Sequence, residues 1–395
     1  MRPTAFLIPL LLVAAPGSAQ AQHWSRSWMA APLVWHEPVE KRPVLTDRTI
    51  RQVVRISNGG DRLRLQLSNQ MSEEALLIGA VHVALAGEDG RILPGTDRVV
   101  SFNRAQGATI PPRAPLISDP IDMAVKPLTR LTVSIHLPTG TASPTVHAYA
   151  AATNWIAPGD QTGADAMTGA TTIGPRLILS AVEVETRKAA TTIVTLGDSI
   201  TDGVRATDDS NRRWPDLLAE RLQKAGRRDV GIANAGISAN RLLSEAEGYN
   251  ALARFDSDVL AVPGVTHVVI LEGVNDIGSA ARDGRAMLSP DALIGAYRQM
   301  IARAHGRGIK VILATILPYK GAGYWSEQGE ATRLAVNQWI RDSGEADGVV
   351  DFAKAIADPA DPARMAKAYD VGDALHPNDT GFATMAAAFD LRLFR

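Results

Sequence analysis

The first half of the chain alternates apolar and polar residues with a period of two. In residues 62–68, leucine alternates with arginine, glutamine and serine, which places the leucines on one face of a strand. The turn cluster Asn58–Asp61 precedes this strand, and residues 50–56 form a second apolar segment, so the pair predicts a hairpin. Similar alternation recurs at 78–85, 131–137 and 177–184. Several short strands of this kind predict a sandwich-like β domain.

The second half of the chain has a different pattern, in which short apolar runs alternate with segments of helical period. The apolar runs are Ile193–Leu196, Val230–Ala233, His267–Leu271, Lys310–Leu317 and Val349–Phe352. One intervening helix is predicted to begin near Pro215 and to end at Gly226, and another to begin at Ser289-Pro290 and to end at Gly306. Five strands interleaved with helices predict a parallel, doubly wound sheet, whose site lies at the carboxyl ends of the strands.

The N-terminus has the pattern of a secretory signal. Arg2 supplies a positive charge, the apolar stretch Phe6–Ala15 is shorter than the ~20 residues that a membrane span needs, and Ala19 and Ala21 are small residues around a cleavage point. A membrane anchor is the alternative interpretation. We therefore expect a secreted or periplasmic protein.

The change of pattern places a domain boundary near residues 187–190, after a loop-like stretch at 157–174 that is rich in Gly, Thr, Asp and Ala. We expect three parts. They are a signal peptide at 1–21, a β-sandwich-like accessory domain at 22–187 and an α/β domain at 188–395.

Composition narrows the chemistry that the chain can perform. The 41 basic and 42 acidic side chains leave a net charge of −1, which argues against a nucleic-acid partner. The absence of cysteine excludes disulfides, thiolate metal sites and cysteine nucleophiles. Histidine and carboxylate spacings typical of metal sites are missing, as are the dinucleotide and phosphate-loop fingerprints, so we expect no metal and no cofactor. Any nucleophile must be an oxygen or an amine.

Four polar blocks follow the predicted strands. They are Gly197-Asp198-Ser199-Ile200, Asn234-Ala235-Gly236, Gly273-Val274-Asn275-Asp276 and Asp373-Ala374-Leu375-His376. In this order and placement the blocks resemble those of the SGNH hydrolases, also called GDSL-type esterases, across the second half of the chain. Ile200 stands where many members have leucine, an exchange that conserves volume. The resemblance implies a flavodoxin-like, doubly wound five-stranded parallel sheet, preceded here by the β-sandwich-like domain.

Carried over residue by residue, the resemblance makes Ser199 the nucleophile, His376 its base and Asp373 the group that orients the imidazole. A serine hydroxyl needs such an adjacent base, and the base needs a third group to fix its tautomer. The resemblance also implies an oxyanion hole formed by the backbone N–H groups of Ser199 and Gly236 and the side-chain amide of Asn275. A purely structural role remains the alternative for each residue, such as helix capping by Ser199.

Other residues near these blocks are candidates for contacting substrate. Asn240 and Arg241 follow the predicted oxyanion glycine, and Tyr324 and Trp325 lie in a glycine-containing loop after the fourth predicted strand. Simple surface packing is the alternative for the two aromatic residues. Three further carboxylates, at Asp198, Asp202 and Asp276, are expected to brace turns rather than to react.

The sequence therefore predicts a secreted serine esterase that cleaves short-chain acyl esters, with acetyl esters of carbohydrates as candidates, because the arrangement is similar to that of some carbohydrate esterases. The alternatives are a lipase, lysophospholipase, thioesterase or acyltransferase with the same serine, and an inactive carbohydrate-binding module. Four tryptophans are candidate sugar-stacking rings or buried residues: Trp24, Trp28, Trp35 and Trp155. The expected partner is a small-molecule or glycan ester, with no stable membrane insertion after signal cleavage, and the oligomeric state stays open.

Overall fold

The computed structural model describes residues 23–186, 189, 191–284 and 286–394. The predicted signal peptide at 1–21 lies outside the described residues, as does most of the predicted boundary at 187–190. We use the name β domain for residues 23–186 and α/β domain for residues 191–394.

The β domain is built from strands that pair antiparallel. They are β1 (His23–Met29), β2 (Arg48–Arg55), β3 (Leu63–Ser68), β4 (Leu76–Ile78), β5 (Val81–Leu85), β6 (Arg98–Val99), β7 (Ala108–Ile110), β8 (Pro115–Ile117), β9 (Arg130–Leu137), β10 (Val146–His147), β11 (Asn154–Pro158), β12 (Thr171–Ile173), β13 (Arg176–Leu177) and β14 (Leu179–Thr186). A four-stranded sheet has the order β1-β14-β3-β8 and a six-stranded sheet the order β12-β11-β2-β9-β5-β6. The pairs β10-β13 and β4-β7 are separate. Short helical turns lie at Val39–Lys41 and Glu88–Gly90.

Both large sheets contribute apolar side chains to one shared core. The alternating leucines of β3 are fully buried, and so are Val133 and Ile135 of β9 in the other sheet. The predicted sandwich-like domain is therefore confirmed. The apolar segment predicted at 78–85 is divided between β4 and β5, and the N–H of Gly79 between them is bonded to the carbonyl of His136.

The predicted hairpin of residues 50–56 with residues 62–68 is wrong. Strand β2 pairs with β9 and β11, whereas β3 pairs with β14 and β8 in the other sheet. The connection is held by other strands, since Ser57 Oγ donates to the carbonyl of Ser27 at 2.6 Å and the N–H of Gly60 donates to the carbonyl of Val125 at 3.0 Å. The turn residues 58–61 predict that the chain changes direction, but these distant contacts determine the strand with which each strand pairs.

The α/β domain contains a parallel sheet with helices around it. The strands are β15 (Thr191–Gly197), β16 (Val230–Gly236), β17 (Val265–Leu271), β18 (Lys310–Ala314) and β19 (Gly348–Val350), and the helices are α1 (Ser199–Asp202), α2 (Trp214–Lys224), α3 (Ala251–Phe255), α4 (Val274–Arg282), α5 (Pro290–His305), α6 (Glu327–Asp342), α7 (Phe352–Ile356) and α8 (Asp379–Ala387). A π-helical turn spans Asp256–Leu260, and a final 3-10 turn spans Leu391–Phe394. The sheet order is β16-β15-β17-β18-β19, and every pair is parallel. The predicted doubly wound five-stranded sheet is confirmed.

Local sequence explains where the two best-predicted helices begin. Pro215 lies in the first turn of α2, where its missing N–H costs nothing, and Ser289 accepts a hydrogen bond from the N–H of Ala292 at the start of α5. The fully buried Trp214 of α2 stacks on Phe389 at a centroid distance of 5.5 Å. Among helices of the described residues, none combines the length and apolarity that crossing a membrane requires.

The two domains meet through buried backbone and hydroxyl groups. The N–H of Arg26 in β1 donates to Thr192 Oγ1 at 3.1 Å, and Ser57 Oγ accepts from the N–H of Ile232 at 2.8 Å. Gly231 of β16 leaves no room for a Cβ, because that atom would overlap the carbonyl of Arg26. The β domain therefore packs directly on the edge strand β16 rather than being joined only by a linker.

His267 in β17 provides a test of the packing around the parallel sheet through the pH dependence of stability. Burial, aided by Lys310, lowers the pKa of His267 from 6.5 to about 4. The unfolded chain binds this proton below pH 6.5, whereas the folded chain resists it until pH 4, so stability is lost as the pH falls through that window. Between about pH 7 and pH 4.5, His267→Leu should lose roughly 2 kcal/mol less free energy of unfolding than the wild type, measured by urea denaturation.

The exposed His36 offers the matched control, since His36→Leu removes a histidine without changing the packing of β17. An unchanged slope in His267→Leu would contradict the burial of a neutral imidazole in β17.

Candidate active site

Ser199 lies directly beyond the carboxyl end of β15. Strand β15 ends at Gly197, Asp198 caps the short helix α1, and Ser199 is the first residue of that helix. Gly203 ends α1 with a φ of 90°, a left-handed conformation that suits glycine. The serine therefore stands at the edge of the sheet where ligands of doubly wound folds bind.

A chain of two hydrogen bonds joins Ser199 to a carboxylate. Ser199 Oγ lies 2.9 Å from His376 Nε2, and His376 Nδ1 lies 2.7 Å from Asp373 Oδ2. Burial alone would raise the pKa of Asp373, but hydrogen bonds from the backbone N–H and ring of His376 and from the N–H of Leu375 hold it below its ordinary value. The ionised Asp373 can only accept, so Nδ1 carries the proton and Nε2 is left to accept from the serine hydroxyl.

Asn275 sits in the first turn of α4 with its amide held at both ends. Its Oδ1 accepts from the hydroxyl of Tyr324 at 3.2 Å, and its Nδ2 donates to the carbonyl of Asn240 at 3.0 Å. A carboxamide nitrogen has two hydrogens, so one N–H remains after the bond to Asn240. Tyr324, expected to line a substrate pocket, thus orients the amide of Asn275.

Gly236 does not have the predicted role of an oxyanion donor in this geometry. Its N–H donates to Asn234 Oδ1 at 2.9 Å and is therefore occupied. A Cβ at this position would overlap the backbone of Asp202 in α1. The glycine is required for the close approach of β16 to α1, and not, as its sequence context indicated, for room beside a substrate.

Ala239 is the residue that sequence reasoning missed. Its φ is 57°, a strained value for a residue with a Cβ, and no described residue accepts its N–H. Ser238 on one side is bonded to Asp202, and the carbonyl of Asn240 on the other side accepts from Asn275. The free N–H of Ala239 therefore lies in the loop after β16. This loop is hydrogen-bonded to α1 through Ser238 and to the amide of Asn275 through Asn240. A small residue three positions after Gly236 was the only signal for it in the sequence.

Comparison with known proteins identifies the α/β domain. Residues 195–383 match the model of the GDSL-like Lipase/Acylhydrolase family. This part of the chain is a GDSL-like domain. The resemblance to the SGNH or GDSL-type hydrolases is thereby confirmed, and we call this part the GDSL domain. No match was found among curated proteins.

Several solved structures are similar to about half of this chain. An acetyl xylan esterase, AlAXEase, is 26% identical, with 50% of this chain and 96% of that chain covered and a TM-score of 0.39. A lipase/acylhydrolase from Enterococcus faecalis is 23% identical, with 50% and 92% covered and a TM-score of 0.41. An aryl esterase from M. smegmatis is 17% identical, with 52% and 100% covered and a TM-score of 0.41.

Three buried carboxylates brace the loops of the GDSL domain. Asp198 accepts from the N–H of Ile200 at 2.9 Å, and Asp276 accepts from the N–H groups of Leu242 and Leu243 at 2.8 and 3.1 Å. Burial raises the pKa of Asp198 to about 7 and that of Asp276 to about 6. The third, Asp202, is bonded to residues of both domains.

Two of the other predicted substrate contacts, Asn240 and Arg241, have side chains that are bonded within the protein. Asn240 is fully buried. Its Nδ2 donates to the carbonyl of Tyr249 and its Oδ1 accepts from Arg254, so the prediction that Asn240 contacts substrate is wrong. Arg241 is paired with Asp283 at 2.8 Å.

The remaining predicted contact, Trp325, is half-buried and packs on the core of the GDSL domain, with Lys320 Nζ 6.0 Å from its ring. Among the described residues, no cluster of three histidine or carboxylate side chains is arranged to hold a metal ion.

The tight contact between β16 and α1 predicts that Gly236→Ala destabilises the GDSL domain. The added methyl group must displace backbone, so the free energy of unfolding should fall by about 1–3 kcal/mol in urea denaturation. Gly295→Ala in α5 is the matched control, because no described atom lies within 4 Å of the position that its Cβ would take. This second variant should gain up to about 1 kcal/mol from helix propensity. A Gly236→Ala protein as stable as the wild type would contradict the close approach.

Proposed function

We propose that this protein hydrolyses carboxylic esters of short acyl groups through an acyl-enzyme on Ser199. The observation that carries the proposal is the hydrogen-bonded chain from Ser199 through His376 to Asp373. In that arrangement the serine hydroxyl has an adjacent base in the correct tautomer, which is what a nucleophilic serine needs at neutral pH.

In the first step, His376 Nε2 takes the hydroxyl proton while Ser199 Oγ attacks the carbonyl carbon of the ester. The carbonyl oxygen becomes an oxyanion, and the free N–H groups nearby are its stabilising donors. We assign this role to the backbone N–H groups of Ser199 and Ala239 and to the remaining N–H of Asn275. Ala239 replaces Gly236 in the assignment made from the sequence, because the N–H of Gly236 is occupied.

In the second step, the tetrahedral intermediate collapses. His376 gives its proton to the leaving alcohol oxygen as the carbon–oxygen bond of the ester breaks. The acyl group is then held on Ser199. A water molecule then attacks the acyl carbon while His376 takes its proton, and His376 returns that proton to Ser199 Oγ as the bond between the acyl carbon and Oγ breaks, which releases the acid and the free serine. Asp373 remains ionised throughout and stabilises the imidazolium that forms twice in the cycle.

The surroundings of Asn275 favour a small acyl group over a long alkyl chain. The hydroxyl of Tyr324 contacts its amide, Arg282 lies 5.8 Å from the Tyr324 ring centroid, and the neighbouring Arg241 is paired with Asp283. Among the described residues, the polar and charged groups at this edge do not provide the continuous apolar lining that a long acyl chain requires. This observation favours an esterase over a lipase, lysophospholipase or long-chain thioesterase.

Three of the four candidate tryptophans of the β domain do not support the alternative of a carbohydrate-binding module. Trp24, Trp28 and Trp35 are each less than 10% exposed. The guanidinium carbons of Arg64, Arg176 and Arg42 lie 4.3, 5.0 and 5.2 Å, respectively, from the centroids of these rings. Since arginine already covers these faces, they do not form open stacking platforms for sugars.

Acetylated carbohydrate remains our proposed substrate class, with the acyl group as the part that the site recognises. We also propose that the leader at 1–21 exports the protein, and that domains extend over 22–187 and 188–395.

A panel of nitrophenyl esters with two to twelve acyl carbons, together with acetylated xylan fragments, tests the proposal. The specificity constant should be highest for acetyl or propionyl esters, and Ser199→Ala should lower kcat by at least about 10⁴-fold. A fluorophosphonate should add its mass to Ser199 alone. Ser289→Ala, an exposed serine that caps α5, is the matched control and should keep full activity.

Undiminished turnover by Ser199→Ala would contradict the mechanism. A maximum at eight or more carbons would replace the short-acyl esterase with a lipase-type enzyme, and acyl transfer to an added alcohol in preference to water would indicate an acyltransferase.

A further inference from the structure

One histidine of the β domain reaches into the GDSL domain beside the nucleophile. His147 lies in β10, which is held by pairing with β13 and by a bridge between Val146 and Leu33. Its ring is buried, and its Nε2 lies 2.9 Å from Oδ1 of Asp202, the last residue of α1. The esterase mechanism above makes no use of this contact.

Both ring nitrogens of His147 have a hydrogen-bond partner. Nδ1 lies 3.0 Å from the carbonyl oxygen of Ala31, which can only accept. Asp202 is itself an acceptor, because its Oδ2 receives the N–H of Ser238 at 3.1 Å and the hydroxyl of Ser238 at 2.9 Å. His147 therefore bridges the carbonyl of Ala31 in the β domain and the side chain of Asp202 in the GDSL domain, and the side chains of His147 and Asp202 are both buried.

We call His147, Asp202 and Ser238 the interdomain clamp. Asp202 belongs to the same four-residue helix as Ser199, and its N–H is bonded to the carbonyl of Asp198 at 2.9 Å. Ser238 directly precedes Ala239. The clamp therefore joins the helix that carries the nucleophile to the loop that carries the free N–H of Ala239.

We infer that His147 is a positioning residue which the β domain supplies to the active site. By holding Asp202 it fixes Ser238, and through Ser238 it sets the separation between the N–H groups of Ser199 and Ala239 that receive the oxyanion. The inference rests on the proposed esterase function. It explains why the β domain packs on the GDSL domain through buried polar contacts, and it gives that domain a part in the reaction without any contact to substrate.

The physical reason lies in the cost of an unpaired buried polar group. Without the ring of His147, Oδ1 of Asp202 would lose its partner in a buried site, and only the two groups of Ser238 would remain bonded to the side chain. The side chain of Asp202 would turn towards water, and that change releases the loop at Ser238. Because an oxyanion hole depends on donors placed in advance, a small displacement of Ala239 should reduce turnover more than substrate binding.

The test compares His147→Gln and His147→Ala with a matched control in the full-length protein. His82 also pairs with a carboxylate, with Nδ1 2.7 Å from Asp97 Oδ2, but it lies in β5 of the β domain, so His82→Gln controls for the loss of a histidine–aspartate pair. We measure kcat and KM on nitrophenyl acetate, the rate of fluorophosphonate labelling of Ser199, and the melting temperature and circular dichroism.

We expect His147→Gln to keep its fold and to lose about 10- to 100-fold in kcat, with KM changed by less than about threefold, because one oxyanion donor is misplaced rather than removed. Labelling of Ser199 should slow in parallel, and His82→Gln should retain wild-type kinetics. Combining His147→Gln with Asn275→Ala should cost less than the product of the single effects, since both act on the same oxyanion.

Wild-type kcat in a folded His147→Gln protein would overturn the inference, as would a multiplicative effect in the double variant. Failure of both His147 variants to fold would assign His147 a purely structural role and overturn it as well. Ser199→Ala separates these outcomes from the proposed function: an active Ser199→Ala protein removes the esterase mechanism itself, whereas an inactive one leaves it standing whatever His147 does.

Discussion

The close packing of helix α1 against the end of strand β16 is the constraint on which the site depends. Gly236 allows the strand to reach the backbone of Asp202, and the four-residue helix that ends at Asp202 begins with Ser199. The nucleophile, the loop after β16 and the β domain therefore meet around a few atoms of one short helix. A change in that packing moves the serine and the proposed oxyanion donors together. The geometry of the site therefore depends on this packing and not on any single side chain.

Burial also controls the electrostatics beneath the serine. Asp198, Glu272 and Asp276 are all buried in the GDSL domain, and burial raises the pKa of each, with Glu272 well above its ordinary value. Asp373 beside His376 has a pKa below its ordinary value. Negative charge near an oxyanion would oppose its formation, so the three carboxyl groups that resist ionisation favour the transition state. The ionised Asp373 favours the same transition state, because it stabilises the positive charge on the imidazole.

The parts of the structure that follow from local pattern could be predicted from the sequence. Apolar runs predicted all five parallel strands, and the family resemblance paired Ser199 with His376 although 177 positions separate them. The contacts that could not be predicted depend on distant partners. Nothing local indicates that β2 and β3 belong to different sheets, that Asn234 occupies the N–H of Gly236, or that His147 reaches Asp202. Ala239 was missed because its left-handed φ is imposed by its neighbours rather than by its own residue type.

A crystal structure of the enzyme phosphonylated on Ser199 tests most directly whether the donors converge on one point. The phosphonyl oxygen should lie about 2.7–3.1 Å from the backbone nitrogens of Ser199 and Ala239 and from Asn275 Nδ2, with the N–H of Gly236 still bonded to Asn234. A phosphonyl oxygen that points to solvent, or that takes the N–H of Gly236 in place of that of Ala239, would contradict the account.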